Sequence, residues 1–255
     1  TSPAIALGND DVLFAVWQSS DQVGPGQIVG RTYALGTGEL GAQVVLSTGT
    51  SNQRPSVAAL STGWVVAWQS GTYIATVTVG ADGQPGAGGA SVVSSGHSGA
   101  QDHPVVAALG GGDDRFAIAW ADHGQNGADI VVQRFDAGGA PLAGDADIPV
   151  NDRFVDGDQV TPAIAGSENG AFFAVAWLDA ASGHIRARLL DASAGFDFNS
   201  VTGQDGEFQV SLANGHARAN PSMAIGGAGP WIAFAWDDQT ATTPGVYARR
   251  FPLPP

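Results

Sequence analysis

The amino-acid sequence predicts an all-β protein: a five-bladed β-propeller of four-stranded antiparallel blades, the last blade three-stranded. Three observations predict it: a unit that recurs five times, four short strand-like runs in each complete unit, and no stretch holding a 3.6-residue apolar period for three turns. Radial stacking of such units protects the edges of many short sheets.

Each unit opens on proline and a short apolar run: Pro3-Ala-Ile-Ala-Leu7, Pro55-Ser-Val-Ala-Ala-Leu60, Pro104-Val-Val-Ala-Ala-Leu109, Pro162-Ala-Ile-Ala165 and Pro221-Ser-Met-Ala-Ile225. The second run ends in tryptophan, at Trp17, Trp68, Trp120, Trp177 and Trp236, spaced 51 to 59 residues apart. A third run starts at Ile28, Ile74, Ile130, Ile185 and Val246. A fourth covers 43–46, 91–94, 147–150 and 207–212, and the fifth unit has none. Short runs rich in Val, Ile and aromatics between Gly, Asp and Pro read as strands. The blades fall at about 1–51, 52–101, 102–158, 159–217 and 218–255 of a single domain.

Strand alternation supports blade stacking. Two residues before each Trp, on the same face, stand Val66, Ile118, Val175 and Phe234, while Ala67, Ala119, Ala176 and Ala235 occupy the other face. A bulky face can then fill a shallow one. Blade 1 departs, with Ala15 on the bulky side and Phe14 and Val16 opposite. The five terminal tryptophans recur at a core position. Trp64 and Trp231 are additional and sit at the other end of that strand, where packing or sugar stacking are the two readings.

Composition excludes several function classes. The 255 residues include no Cys, which removes disulfide scaffolds and Cys-ligated metal centres. All basic residues are Arg, so no Schiff-base or phosphate-loop lysine exists. With 24 acidic against 10 basic residues the net charge is −14, and the arginines are scattered, which argues against a nucleic-acid partner. Apolar runs are too short to insert across a bilayer. The opening Thr1-Ser-Pro-Ala-Ile5 lacks a charged leader, as expected of a processed, secreted extracellular chain or an excised domain.

The units resemble the tandem repeats of large secreted bacterial proteins of the hemolysin-type and adhesin-like group. The resemblance is carried by Pro55-Ser-Val-Ala-Ala-Leu60 with Gly63-Trp-Val-Val-Ala-Trp68, by Ile130-Val-Val-Gln-Arg-Phe-Asp136 and by Val246-Tyr-Ala-Arg-Arg-Phe251. It covers nearly the whole chain, and because these are framework residues it implies a fold and an extracellular setting but no catalytic residue. The nonapeptide calcium repeats common in that group are missing; Gly110-Gly-Gly-Asp-Asp114 is a single superficial copy. Five-bladed folds also occur in sugar-binding lectins and furanose-cleaving glycosidases, an analogy of fold alone.

Loops joining strands two and three share a face with the blade-to-blade connections, and all five histidines fall there: His97, His103, His216, His123 and His184. The residues before the repeated prolines, Arg54, His103, Thr161 and Asn220, should ring the channel mouth, with Asp102 and Gln159 beside them. Such a mouth suits a small polar ligand or a metal, although a wet channel needs neither. After the terminal Trp come Asp21, Asp122, Asp179 and Asp238, read either as quasi-equivalent sugar or calcium ligands or as turn starters. Asn151-Asp-Arg-Phe-Val-Asp-Gly-Asp158 bunches three carboxylates as a calcium loop would, but lacks the alternating ligand spacing and terminal Glu of an EF-hand, so calcium is a candidate cofactor that the spacing does not establish.

A two-carboxylate glycosidase finds little support, because Glu39, Glu168 and Glu207 all lie away from the mouth. Gly96-His-Ser-Gly-Ala100 misses the last glycine and the following helix of a nucleophile elbow. The sequence therefore favours a secreted binding or adhesion module, lectin-like, with carbohydrate or a cell-surface glycan as partner. The alternatives are a polysaccharide hydrolase or lyase at the channel mouth, and a structural domain of a larger secreted protein.

Overall fold

A computed structural model describes residues 1–20, 26–94, 99–124, 127–142, 147–153, 155–193, 206–212, 216–226, 231–239 and 244–252. Apart from one 3₁₀ turn at Asn9–Asp11, its regular elements are strands arranged as five antiparallel meanders. Blade 1 comprises β1 (Ala4–Leu7), β2 (Val12–Ser19), β3 (Gln27–Ala34) and β4 (Val44–Val45). Blade 2 has β5 (Asn52–Leu60), β6 (Gly63–Ser70), β7 (Tyr73–Gly80) and β8 (Ser91–Val92). Blade 3 has β9 (Gln101–Ala108), β10 (Phe116–Gly124), β11 (Gly127–Phe135) and β12 (Ile148–Pro149). Blade 4 has β13 (Gln159–Gly166), β14 (Phe172–Asp179), β15 (His184–Asp191) and β16 (Phe208–Gln209), and blade 5 has β17 (Arg218–Ile225), β18 (Trp231–Asp238) and β19 (Gly245–Pro252). Among the described residues no helix is long and apolar enough to cross a membrane.

The fourth strands are shorter than their apolar runs suggest, two ladder residues each. The ladder stops because the chain turns a side chain onto the neighbouring strand: Ser47, Ser94, Asn151 and Ser211 accept the backbone N–H of Ile28, Ile74, Ile130 and Ile185. Backbone donors are obligatory groups, and a side-chain oxygen satisfies them as well as a further strand residue.

Blade faces alternate as their residues require. The bulky face of each later blade packs on the small face of the one before: Trp177, Val175 and Phe173 meet blade 3, and Trp236, Phe234 and Ile232 meet Ala174 and Ala176 of blade 4. Four apolar cores result, between blades 1 and 2, 2 and 3, 3 and 4, and 4 and 5. Among the described residues none lies between blades 5 and 1, and Ile5 and Leu7 of β1, which face that seam, are exposed. Trp17 faces the same way and is half-buried, unlike Trp68, Trp120, Trp177 and Trp236. The expectation of five core tryptophans thus holds for four, because among the described residues no apolar core joins blade 5 to the face that carries the first.

Blade 1 accommodates its reversed pattern through Gly30 and Trp64. Phe14 lies over Gly30, where an added Cβ would clash with the ring, and stacks on Trp64 at 5.1 Å between centroids. Trp64 is therefore buried packing, whereas Trp231 is exposed beneath the Arg250 guanidinium, 4.4 Å from the ring.

Candidate functional site at the axial mouth

Proline lacks the N–H that a strand interior needs, so each inner strand admits it through a bulge. The pairing register slips at the proline in β5, β9, β13 and β17. At each of these four bulges the residue before the proline takes a left-handed backbone, and Ser2, before Pro3 at the start of β1, does the same: Ser2, Arg54, His103, Thr161 and Asn220 have φ between 49 and 53°. For non-glycine residues this conformation is strained by on the order of 1–3 kcal/mol, and most for β-branched Thr161. These five residues and the prolines behind them line one cavity of about 410 Å³ on the axis. Arg54, His103, Thr161 and Asn220 thus stand at the mouth where the sequence places them; Ser2, which precedes Pro3, is the fifth member that it left out.

Charge gathers on one side of this mouth. His103 Nδ1 lies 2.8 Å from Asp102 Oδ1 and 3.0 Å from Arg54 Nη1, His123 Nε2 lies 3.3 Å from Asp102 Oδ2, and Arg54 stands 3.9 Å from the same carboxylate. The two contacts of His103 demand opposite proton positions. Nδ1–H donates to Asp102, whereas a bare Nδ1 accepts from Arg54, so the ring holds one partner at a time. Burial alone would raise the Asp102 carboxyl, but the hydrogen bonds and charge of His103 and His123 outweigh it and hold the group below the ordinary value. Across the mouth, Asn220 Nδ2 donates to Asp237 Oδ2 at 2.7 Å. Arginine, imidazole and carboxylate side by side offer donors and acceptors to a polar ligand while two prolines per neighbouring pair of blades supply apolar floor.

The recurring aspartates lie elsewhere. Asp122, Asp179 and Asp238 are not loop residues but belong to the strands that carry the Trp, and all three are buried. Asp179 accepts from Ser182 Oγ at 2.6 Å and from Arg186 Nε at 2.7 Å, and Asp238 bonds His216 Nδ1 at 3.0 Å. Burial would raise Asp179, yet Ser182 and Arg186 bring it below the ordinary value. A ligand reaches these carboxylates only by displacing such partners. His184, the first residue of β15, accepts from Arg218 Nη1 at 3.2 Å and is held neutral, its pKa lowered by burial and then by the charges of Arg218 and Arg186. Asp21 and His97 lie outside the described residues.

Sequence reasoning missed the inward partners of these aspartates. Three residues before each later proline stand Asn52, Gln101, Gln159 and Arg218, all buried, in register with Ser70, Asp122, Asp179 and Asp238. Asn52 and Gln159 accept the indole N–H of Trp68 and Trp177 at 3.0 and 2.9 Å. Gln159 is thus committed to the core rather than to the mouth. A polar residue at constant distance from proline was the available signal.

The acidic segment 151–158 spends its side chains on separate partners: Asn151 on Ile130 N–H, Asp152 on Arg188 at 3.1 Å and Asp158 on Ala128 N–H at 3.0 Å. Among the described residues no group of three or more His, Asp or Glu converges as a metal centre would.

No family model and no curated protein sequence matches the chain, so the likeness of its repeats to hemolysin-type and adhesin-like proteins rests on the motifs alone. Among solved structures the chain is similar to the α-L-arabinanase of Penicillium chrysogenum complexed with arabinobiose, with TM-score 0.60, 12% identity and 94% of this chain covering 77% of that one. It is also similar to an exo-β-1,3-galactanase of Phanerochaete chrysosporium with β-1,3-galactotriose (TM-score 0.51, 11% identity, 92% and 56% covered). The Dos1 propeller is a third (TM-score 0.50, 11% identity, 92% and 54% covered). At such identities the likeness is one of fold, and the chain spans little more than half the length of the last two. The fold is that of a propeller with five blades, the last of three strands.

Proposed function

We propose that the axial mouth binds a carbohydrate, with Arg54, Asp102, His103 and His123 as its polar contacts and the proline ring as its apolar floor. The observation that carries this reading is convergence: five strained residues line one cavity, and Asp102 with His123 stands in contact with two of them, Arg54 and His103. Sugar hydroxyls both donate and accept, which suits such a mixed set, and the C–H faces of a sugar ring suit proline. One site on the axis replaces the ring of equivalent sites that the recurring aspartates suggested. A secreted chain meeting a cell-surface glycan is the setting this reading implies.

The second reading is a polysaccharide hydrolase or lyase in the same cavity, and the fold shared with an arabinanase and a galactanase supports it. Against the two-carboxylate route stands the state of the acids. A general acid needs a raised pKa, whereas Asp102 is lowered, and Glu207, whose carboxyl is raised, lies at the outer end of blade 4.

A glycan array in calcium-containing buffer, followed by calorimetry with the best oligosaccharide and by assay of reducing ends from arabinan and galactan, separates the readings. Binding of one sugar chain per protein, weakened at least ~10-fold by Asp102→Asn or His103→Ala with no product formed, is the expected result. Product that these substitutions abolish would establish the enzyme instead. A blank array without product removes both.

A further inference from the structure

The outer edge of the third strand is covered in the same way in four blades. The N–H of Ile28, Ile74, Ile130 and Ile185 donates to Ser47 Oγ, Ser94 Oγ, Asn151 Oδ1 and Ser211 Oγ, at 2.8, 2.9, 2.6 and 3.0 Å. The carbonyl of the same residue accepts from the N–H of Leu46, Val93, Val150 and Val210, at 2.8 to 2.9 Å. All four isoleucines are fully buried. Val246 is the fifth member of this series, yet it is 75% exposed, and β19 ends its sheet. Among the described residues this edge is uncovered, and such an edge is a template for a further strand.

The other blades specify what that strand should carry. Val44, Ser91, Ile148 and Phe208 pair with Gly30, Thr76, Val132 and Ala187, whose counterpart in β19 is Ala248. The residue before them is Gln43, Ala90, Asp147 and Glu207 in blades 1 to 4, and the same register sets that position opposite Arg249. Opposite a guanidinium, the acidic choice of blades 3 and 4 is the complementary one. Phe208 and Val210 face the next blade, so the equivalent apolar pair would cover the seam beside blade 1. A second copy of β19 would instead bring two further arginines to the same edge, where like charges repel.

We propose that β19 is a strand-acceptor site for an extended segment of another polypeptide reading acidic–apolar–any–Val/Leu–Ser/Asn, which adds antiparallel as the fourth strand of blade 5. Its Val or Leu N–H meets the Val246 carbonyl, and its Ser or Asn oxygen takes the Val246 N–H. The proposal stands independently of the carbohydrate site.

The test is amide hydrogen exchange of the whole chain with a synthetic peptide of the sequence of residues 206–212 (Gly-Glu-Phe-Gln-Val-Ser-Leu). At saturating peptide, exchange at Val246 and Ala248 should slow at least ~10-fold. The Val210→Pro peptide, which lacks the bonding N–H, should give no protection, and the Glu207→Lys peptide should bind more weakly. Absence of protection at millimolar peptide, or equal protection by the proline peptide, overturns the proposal. So does protection confined to β15, which would mean exchange with its own fourth strand. A concentration-dependent dimer that protects the same amides without peptide overturns it in favour of a second copy.

Discussion

Glu207 shows how a single buried group sets a pH dependence. It is almost fully buried and accepts the backbone N–H groups of Asp152 and Arg153. Burial pushes its carboxyl up, the nearby Asp152 carboxylate adds to this, and the two N–H donors offset only part. The folded chain therefore holds this proton more tightly than the unfolded chain. Its contribution to stability is full below the ordinary value of 4.5 and is lost as pH rises through the raised folded value. Glu207→Gln keeps an acceptor and removes the charge. Thermal melts should show little difference from the parent at pH 4 and a Tm advantage of a few degrees at pH 7, where about 1 kcal/mol corresponds to roughly 2–4 °C. Equal Tm across the range would mean that ionised Glu207 is not a burden. Asp102 and Asp179 run the other way: both are lowered, so they stabilise above the ordinary 3.8 and cease to do so as pH falls through their folded values.

Within the blades, the close approach of Phe14 to Gly30 is the device that lets blade 1 reverse its pattern. Gly30→Ala is expected to cost about 1–3 kcal/mol by overpacking, with partial recovery on adding Phe14→Leu. Gly36→Ala, in a turn with open space around it, should leave the melt unchanged and serves as control. Much of this level was legible in the sequence. Proline and tryptophan punctuate every unit, so strand order, blade count, the missing last strand and four of the five mouth residues followed from their spacing. What stayed hidden has a common cause. Asn52, Gln101, Gln159 and Arg218 stand at a constant distance from proline, but that spacing does not say that they are buried, and without these buried partners Asp122, Asp179 and Asp238 read as exposed loop residues. The half-exposure of Trp17 was hidden for a different reason, since a repeat pattern describes a blade and not the packing beside it.

At the scale of the whole molecule, apolar cores among the described residues cover both faces of blades 2, 3 and 4 and one face of blades 1 and 5. Stability in such a stack depends on neighbour interfaces, so opening should start at the seam. Hydrogen exchange is expected to be slowest in β6, β10 and β14 and fastest in β1 and β19, with at least ~10-fold between the two groups. Uniform protection would indicate a fifth interface as strong as the rest. The bulges have a separate consequence. Because each residue before a proline stands outside the ladder, its side chain contributes to the mouth without contributing to the pairing of any blade. Ser2, Arg54, His103, Thr161 and Asn220 therefore form a five-letter word written on a page that does not depend on it, and ligand preference can be respelled there, codon by codon, while the scaffold stays as it is.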